Sequence, residues 1–225
     1  MFSKKAPVLG FASPVSSGSM IWCDTAFTMI DAVCHAMNKG LVSKVNTYRV
    51  CSSDIALNRN KIWQKAKADA CDYLFMVDTD MTLEQDCIER LLELEKIMPK
   101  CLLSGYASVG GSPHYPAMWI DVEGEAKIMW DVPDKPFQCH YIGAYALFIP
   151  RSILHSHKMP KEPFTIKEGD RAEDFAFSRC LGEAGFKIIV DPSLEFGHLR
   201  PQKVGKHHWE MQRKGLDESK YVHLT

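Results

Sequence analysis

The sequence lacks any Cys-x-x-Cys pair, although its 225 residues include eight cysteines. Without such pairs, zinc-finger and thioredoxin-like proteins are excluded. The cysteines stand singly among apolar or helical neighbours, where a free thiol behaves as a small buried hydrophobe. We therefore expect the cysteines to be reduced and the protein to be cytoplasmic.

Long apolar runs and an excess of one charge are also missing. The longest apolar stretch, residues 141–150, is too short to cross a bilayer, and the first ten residues contain no apolar signal segment. Lys and Arg number 27 against 28 Asp and Glu, which excludes a global polycation for nucleic acid or an anionic membrane. We expect no membrane partner, and any basic patch must be local.

Strand patterns alternate with helical patterns through the first half of the chain. Three apolar runs predict strands and three helical periods predict helices, at residues 8–12, 24–38, 42–50, 54–70, 73–77 and 82–98. This order indicates a mostly parallel sheet with crossover helices. A small-residue loop is predicted at 13–18, where open α/β sheets place ligands.

The second half predicts a mixed arrangement. Its elements are a strand, a hairpin, a second strand, a helix and a last strand, at residues 101–106, 115–131, 143–150, 171–184 and 186–190. The length fits one domain better than two. We predict one α/β domain over residues 1–200, with a small β-hairpin region, and a basic C-terminal tail or lid over 201–225.

The triplet Asp78-Thr79-Asp80 directly follows the apolar run 73–77. Two carboxylates on the turn that leaves a buried strand can both address one hard divalent cation, which also takes water and substrate phosphates as ligands. The same residues are common in turns and helix caps, so the triplet alone leaves both interpretations open.

Two further groups lie far downstream of this triplet. Glu173-Asp174 falls at a predicted helix start, and His198 follows Gly197 after the last strand. Acidic residues are favoured at helix N-termini without any catalytic role, and a lone histidine is often structural. If the three groups converge where the strand ends open, they form a candidate active site.

In this order and at these separations, the three groups resemble the signature set of GT-A-fold nucleotide-sugar glycosyltransferases, particularly the family-2-like group. The run 143–151, an apolar strand led by Gly143, and Leu57-Asn58-Arg59-Asn60 are similar to two further elements of that group. The resemblance covers about residues 8–200. It implies a GT-A-like, Rossmann-like α/β fold with a mixed, mostly parallel central sheet flanked by helices.

The resemblance also implies residue roles. Asp80 and His198 would be ligands of Mn²⁺ or Mg²⁺, and Asp78 would touch the metal or the donor's ribose. Asp174 would be the general base that deprotonates the acceptor hydroxyl, which favours inversion at the anomeric carbon. Glu173 would help to hold the acceptor.

The donor side is expected to include further residues. Arg59 would contact the donor nucleotide or its phosphates, and Pro14 and Gly143 are placed with the donor. If the basic tail folds as a lid, Lys203 and Lys206 would approach the diphosphate. A solvated, partnerless tail is the alternative.

The expected partners are a UDP- or GDP-linked sugar donor and an acceptor hydroxyl of open identity, with a modified nucleic-acid base as one option. A metal-dependent nucleotidyltransferase acting on sugar phosphates is an alternative. It would need a glycine-rich phosphate loop with a basic residue, and residues 10–18 contain no Lys or Arg. A non-catalytic nucleotide-sugar-binding module is the other alternative.

Overall fold

A central sheet of seven strands organises the computed structural model, which describes residues 6–16, 20–109 and 114–200. In spatial order the strands are β10 (Phe137–Cys139), β13 (Lys187–Glu195), β5 (Cys101–Tyr106), β12 (Ala146–Pro150), β3 (Tyr73–Val77), β1 (Val8–Ser16) and β2 (Lys44–Ser52). β10 and β12 run antiparallel to the other five. The predicted mixed, mostly parallel sheet is confirmed.

Five helices accompany the sheet within the described ranges: α1 (Cys23–Asn38), α2 (Ile55–Ala68), α3 (Cys87–Ile97), α4 (Arg151–Leu154) and α5 (Glu173–Glu183). α1 buries Thr25, Met29, Ala32 and Ala36, whose spacing of three or four residues makes one face of a helix. Asp54 caps the start of α2, because its side chain accepts a hydrogen bond from the Leu57 backbone N–H at 3.0 Å. α2 contacts β1 and β2, and so connects the first two strands to the site described below.

Short strands cover the carboxyl-end side of the sheet. They are β4 (Met81–Thr82) paired with β14 (Gly197–His198), β6 (Ser108–Val109) paired with β7 (Tyr115–Pro116), and a small sheet of β8 (Met118–Val122), β9 (Glu125–Ile128) and β11 (Tyr141–Ile142). The predicted hairpin is β8 and β9. Its turn has positive φ at Glu123 and Gly124 (56° and 83°), the backbone form that tight hairpins favour.

Several predicted boundaries differ from the structure, and two of them lie beside the site described below. β1 continues to Ser16, so most of the predicted loop at 13–18 is strand. Beyond Ala12, β1 pairs with β2 but no longer with β3. Proline has no backbone N–H to donate. Pro14 is tolerated there because β3 no longer pairs with this end of β1, which leaves one side of the strand without ladder hydrogen bonds. The helix predicted from residue 82 begins at Cys87, because β4 precedes it and pairs with distant β14.

Aromatic side chains fill the core on both sides of the sheet strands. Phe75 of β3 contacts Phe148 of β12 edge to face at 5.8 Å between ring centroids, and Phe164 stacks on Phe177 of α5 at 4.3 Å. All eight cysteines are free, as the scattered pattern predicted, but three of them, Cys23, Cys34 and Cys51, are exposed rather than buried. None of the helices in the described ranges is long and apolar enough to cross a membrane.

Candidate active site

The acidic triplet lies at the carboxyl end of β3, in the middle of the sheet. Asp78 follows the last strand residue, and its backbone N–H donates to the Tyr145 carbonyl at 2.8 Å. The chain then turns, and Met81 enters β4. The triplet therefore stands at the edge where open α/β sheets bind ligands.

Arg59 is the centre of a first polar group. Although charged, it is only 3% exposed, and its Nη2 donates to Asp78 Oδ1 at 2.5 Å and to the Ala144 carbonyl at 3.2 Å. Its Nη1 donates to Glu173 at the start of α5. A buried guanidinium requires such partners, because an unpaired buried charge is costly. Arg59 thus ties the end of β3 to the start of α5.

Three consecutive residues of α2 are polar and buried: Asn58, Arg59 and Asn60. Asn58 donates to the Val15 carbonyl at the end of β1 at 2.9 Å. Asn60 accepts from the Phe164 backbone N–H at 2.9 Å, in the segment before α5. One turn of α2 is therefore hydrogen-bonded to the end of β1, to the acidic triplet and to the segment that precedes α5.

Asp174 is the second residue of α5 and belongs to the same neighbourhood. Its Oδ1 accepts a hydrogen bond from the Phe175 backbone N–H at 2.8 Å. Burial, reinforced by the negative charge of Glu173, raises the pKa of Asp174 to about 6, against the smaller opposing effect of Arg59. A carboxyl with this pKa can accept a proton near neutral pH.

Asp80 is the centre of a second polar group. His198 Nε2 lies 3.2 Å from Asp80 Oδ2, and Arg200 Nη1 donates to the same oxygen at 3.0 Å. Burial opposes ionisation of Asp80, but the hydrogen bond from His198 and the two nearby cations lower its pKa. The hydrogen bond to Asp80 likewise raises the pKa of His198.

The backbone fixes this second group. β14 pairs with β4 so that His198 stands opposite Met81, and the Leu199 backbone N–H donates to the Asp80 carbonyl at 2.7 Å. His198 Nδ1 lies 2.9 Å from the Ser108 carbonyl oxygen. Since a carbonyl can only accept, Nδ1 carries the proton and Nε2 faces Asp80.

Asp78 lies between the two groups. Burial raises its pKa to about 6, and the charges of Asp80 and Glu173 add to this effect, whereas Arg59 opposes it. The two carboxylates of the triplet therefore have different partners: Asp78 forms an ion pair with Arg59, and Asp80 contacts His198. In the part of the chain that the structure describes, no three His, Cys, Asp or Glu side chains gather as a metal cluster. A metal site shared by Asp78, Asp80 and His198 stays a prediction.

The remaining predicted donor residues lie at different places. Pro14 is buried within β1, and Gly143 precedes β12, where its backbone N–H donates to the Ala117 carbonyl at 2.9 Å. Lys203 and Lys206 fall outside the described residues, as does the predicted tail. Arg200 was not among the predicted site residues, and its contact with Asp80 was missed because nothing local in the sequence distinguishes it from a solvated arginine.

No protein-family model matches the sequence, and a search of curated proteins finds no match. Solved structures do resemble it. A197 from STIV has a TM-score of 0.51 and 15% identity, over 87% of this chain and 86% of that chain. GalNAc-T7, crystallised with UDP, GalNAc and Mn²⁺, has a TM-score of 0.58 and 14% identity, over 89% of this chain and 45% of that one.

A third structure, a Drosophila β-1,4-galactosyltransferase 7 variant with manganese, UDP-Gal and xylobiose, has a TM-score of 0.49 and 16% identity, over 92% of this chain and 80% of that chain. This chain spans less than half the length of GalNAc-T7. At such identities the likeness concerns architecture, which includes the seven-stranded sheet and its flanking helices. The chain therefore has a GT-A-like α/β fold.

Proposed function

We propose that this chain is a glycosyltransferase that moves a sugar from a nucleoside diphosphate to a hydroxyl acceptor with the help of Mn²⁺ or Mg²⁺. The observation that carries the proposal is the contact of His198 with Asp80 beside the Arg59 group, at the carboxyl end of the sheet. The GT-A-like fold supports it, because GalNAc-T7 has a similar fold and was crystallised with UDP and Mn²⁺.

The chemistry of the Asp80–His198 pair suits a divalent cation. His198 donates from Nδ1 to the Ser108 carbonyl, so a neutral imidazole directs the Nε2 lone pair at Asp80 Oδ2, 3.2 Å away, whereas an imidazolium donates an N–H to it. Such a pair needs a cation between its members, either a proton or a metal ion. The Ser108 carbonyl orients the imidazole in the way that supporting carbonyls orient metal-binding histidines.

Asp80 and His198 would hold the metal, with diphosphate oxygens and water as the other ligands, since Mg²⁺ and similar ions commonly use few protein carboxylates. When bound, the metal would neutralise charge that develops on the departing diphosphate. Arg200 donates a hydrogen bond to Asp80 Oδ2, the oxygen that would bind the metal. With this oxygen bound to the metal, Arg200 would contact a phosphate oxygen of the donor instead.

Asp174 would act as the general base. In the transfer, the acceptor oxygen bonds to the anomeric carbon, the bond from that carbon to the diphosphate oxygen breaks, and the acceptor's proton passes to Asp174. A single displacement of this kind inverts the anomeric centre. The raised pKa of Asp174, about 6, makes its carboxylate a stronger base than an exposed aspartate. Because this pKa still lies below neutral pH, most of the carboxylate is ionised there.

Arg59 would act chiefly by positioning. Its two Nη atoms hold Glu173 and Asp78, which fixes the first turn of α5, where Asp174 lies, relative to the triplet. Direct donor contacts of Arg59, Pro14 and Gly143 stay predictions. Glu173 would hold the acceptor beside Asp174, and Asp78 would face the donor's ribose through its partly exposed side.

The test is nucleotide release from UDP- and GDP-sugars in the presence of Mn²⁺, with and without added acceptors. Wild type should release nucleotide slowly by donor hydrolysis, and Asp80→Asn should abolish that release. Asp31→Asn, which changes an exposed carboxylate on α1, is the matched control and should leave release unchanged.

Other outcomes would replace the proposal. Tight donor binding without release under any acceptor would indicate a binding module. Pyrophosphate release from a nucleoside triphosphate and a sugar phosphate would indicate a nucleotidyltransferase. Neither donor binding nor release with any nucleotide sugar would overturn the glycosyltransferase assignment.

A further inference from the structure

An open cavity of about 690 Å³ lies at the carboxyl ends of β5 and β13. Trp130 and Tyr115 form one wall, and Tyr106 and Glu195 border the side where those strands end. We propose that this space, here called the aromatic cavity, is the acceptor subsite and takes a neutral saccharide. The proposal rests on the proposed function, which it deepens by naming the acceptor's chemical class.

Trp130 is the reason to expect a ring-shaped ligand. Its side chain is 60% exposed, although tryptophan is usually well buried, and it meets the Tyr115 ring edge to face at 6.3 Å between centroids. The face of an indole carries partial negative charge, which attracts the C–H groups on the flat side of a sugar ring. Covering this face would also remove a large apolar surface from water.

Polar groups around the aromatic wall match sugar hydroxyls. Asp134 and Glu195 offer exposed carboxylates, and hydroxyl hydrogens bound to carboxylates form strong, charge-assisted hydrogen bonds. The Tyr106 and Ser108 hydroxyls, 3.0 Å apart, can donate or accept. A concave, partly aromatic space with a few directed polar groups is typical of small-molecule sites.

The charge of the cavity favours a neutral ligand over a nucleic acid. Among the described residues that line it, there is no Lys or Arg, and His114 is the one basic side chain. Phosphates would meet the Asp134 and Glu195 carboxylates, whereas nucleic-acid sites use cationic side chains to contact the backbone. This counts against the modified nucleic-acid base as acceptor.

The aromatic cavity is continuous with the His198 side of the candidate active site. A second cavity of about 370 Å³ shares Tyr106, Ser108, His114 and Glu195 with it and extends to His198 and Arg200. A saccharide stacked on Trp130 would therefore have an open path towards the Asp80–His198 pair. The donor-side elements, β1 and the start of α2, lie at the other end of the sheet order.

The test compares wild type with Trp130→Ala, Trp130→Phe and the control Phe27→Ala, which removes an exposed aromatic ring from α1. Transfer from a UDP- or GDP-sugar is measured against a panel of xylo-, cello- and malto-oligosaccharides. Trp130→Ala should raise the KM for the acceptor about tenfold, equivalent to about 1.4 kcal/mol. The acceptor KM of Trp130→Phe should lie between those of wild type and Trp130→Ala, while Phe27→Ala should have the wild-type acceptor KM and the wild-type rate of donor hydrolysis.

Binding is measured separately, so that the two proposals can fail independently. Saturation-transfer NMR with the same oligosaccharides needs no turnover, and its signal should fall in Trp130→Ala but persist in Asp80→Asn. Saccharide binding without nucleotide release would support the cavity and overturn the transferase. Nucleotide release without any saccharide effect of Trp130→Ala, or Trp130-dependent binding of a single-stranded oligonucleotide instead, would overturn the saccharide subsite.

Discussion

His198 reaches Asp80 across 118 residues of chain, with its Nε2 3.2 Å from the carboxylate oxygen. The contact is built by the backbone, since the two-residue strands β14 and β4 pair directly beside it. The side chains are therefore held together before any ligand arrives. A preformed pair binds a cation without the cost of ordering its ligands at that moment.

Replacement of His198 should weaken the metal site. In His198→Ala we expect the affinity for Mn²⁺ in the presence of UDP to fall by about 10–100-fold, the range seen when support of a metal site is removed. The measurement is the Mn²⁺-dependent rise in melting temperature at fixed UDP. His157→Ala, at an exposed histidine between α4 and α5, should behave as wild type. Equal Mn²⁺ responses in both variants would remove His198 from the metal site.

Gly197 should tolerate no side chain. A Cβ at this position would lie 2.3 Å from Thr82 Oγ1, so in Gly197→Ala either the Thr82 side chain rotates or β14 moves away from β4. We expect a loss of stability of about 1–3 kcal/mol, as for other overpacked sites, together with loss of nucleotide release. The double variant Gly197→Ala/Thr82→Ala removes the clashing oxygen and should recover most of both. A double variant as impaired as the single one would contradict this steric explanation.

Loss of Arg59 should be strongly destabilising. Arg59→Met leaves Asp78 and Glu173 without their buried cation, and broken buried pairs typically cost about 3–5 kcal/mol. Denaturant unfolding measures this change. Adding Glu173→Gln to Arg59→Met removes one orphaned carboxylate and should restore part of the stability. If Arg59→Met unfolds at the wild-type denaturant concentration, the group has no structural role.

Sugar transfer should fall as the pH drops below about 6. The pKa of Asp174 is raised to about 6 by burial and by Glu173, and a protonated carboxyl cannot accept the acceptor's proton. The acidic limb of kcat/KM against pH should therefore have its midpoint near that value. Glu173→Gln removes a neighbouring negative charge and should move the midpoint to lower pH. A midpoint near 4 in wild type would exclude Asp174 as the base that controls this limb.

Asp174 should also reduce stability at neutral pH. Because its pKa is raised in the folded state, the folded protein binds this proton more tightly than the unfolded chain does, and its contribution becomes less favourable as pH rises towards about 6. Asp174→Asn should therefore melt higher above pH 6, by about 2–4 °C for each kcal/mol gained. The gain should vanish near pH 4, and a gain that is constant with pH would indicate another cause.

Much of the fold follows from local patterns. The β3 strand and the β5 strand were predicted with the bounds that the structure shows, since each is a short apolar run between polar residues. The start of α3 was wrong because Met81 and Thr82 pair with residues more than a hundred positions away, and such pairing leaves no local signature.

The site was predicted less completely than the fold. The convergence of Asp80 and His198 was anticipated from the resemblance. The pairing of Asp78 with Arg59 instead of His198 was not, because two neighbouring carboxylates look equivalent in a sequence. The donor contact expected of Arg59 stays a prediction, but its burial between two carboxylates was not anticipated. Its flanking residues Asn58 and Asn60 were the available signal, since three polar residues on one buried turn imply partners in the interior.

The turn of α2 that contains Asn58, Arg59 and Asn60 connects several segments at the carboxyl end of the sheet. Three separate segments, at the end of β1, at the triplet and before α5, are hydrogen-bonded to consecutive residues of one helix. Fluctuations of these segments are consequently correlated, and their amide protons should exchange with solvent in a single cooperative opening. The end of β1, the triplet and the segment before α5 are thus coupled through a helix on which no reacting atom sits.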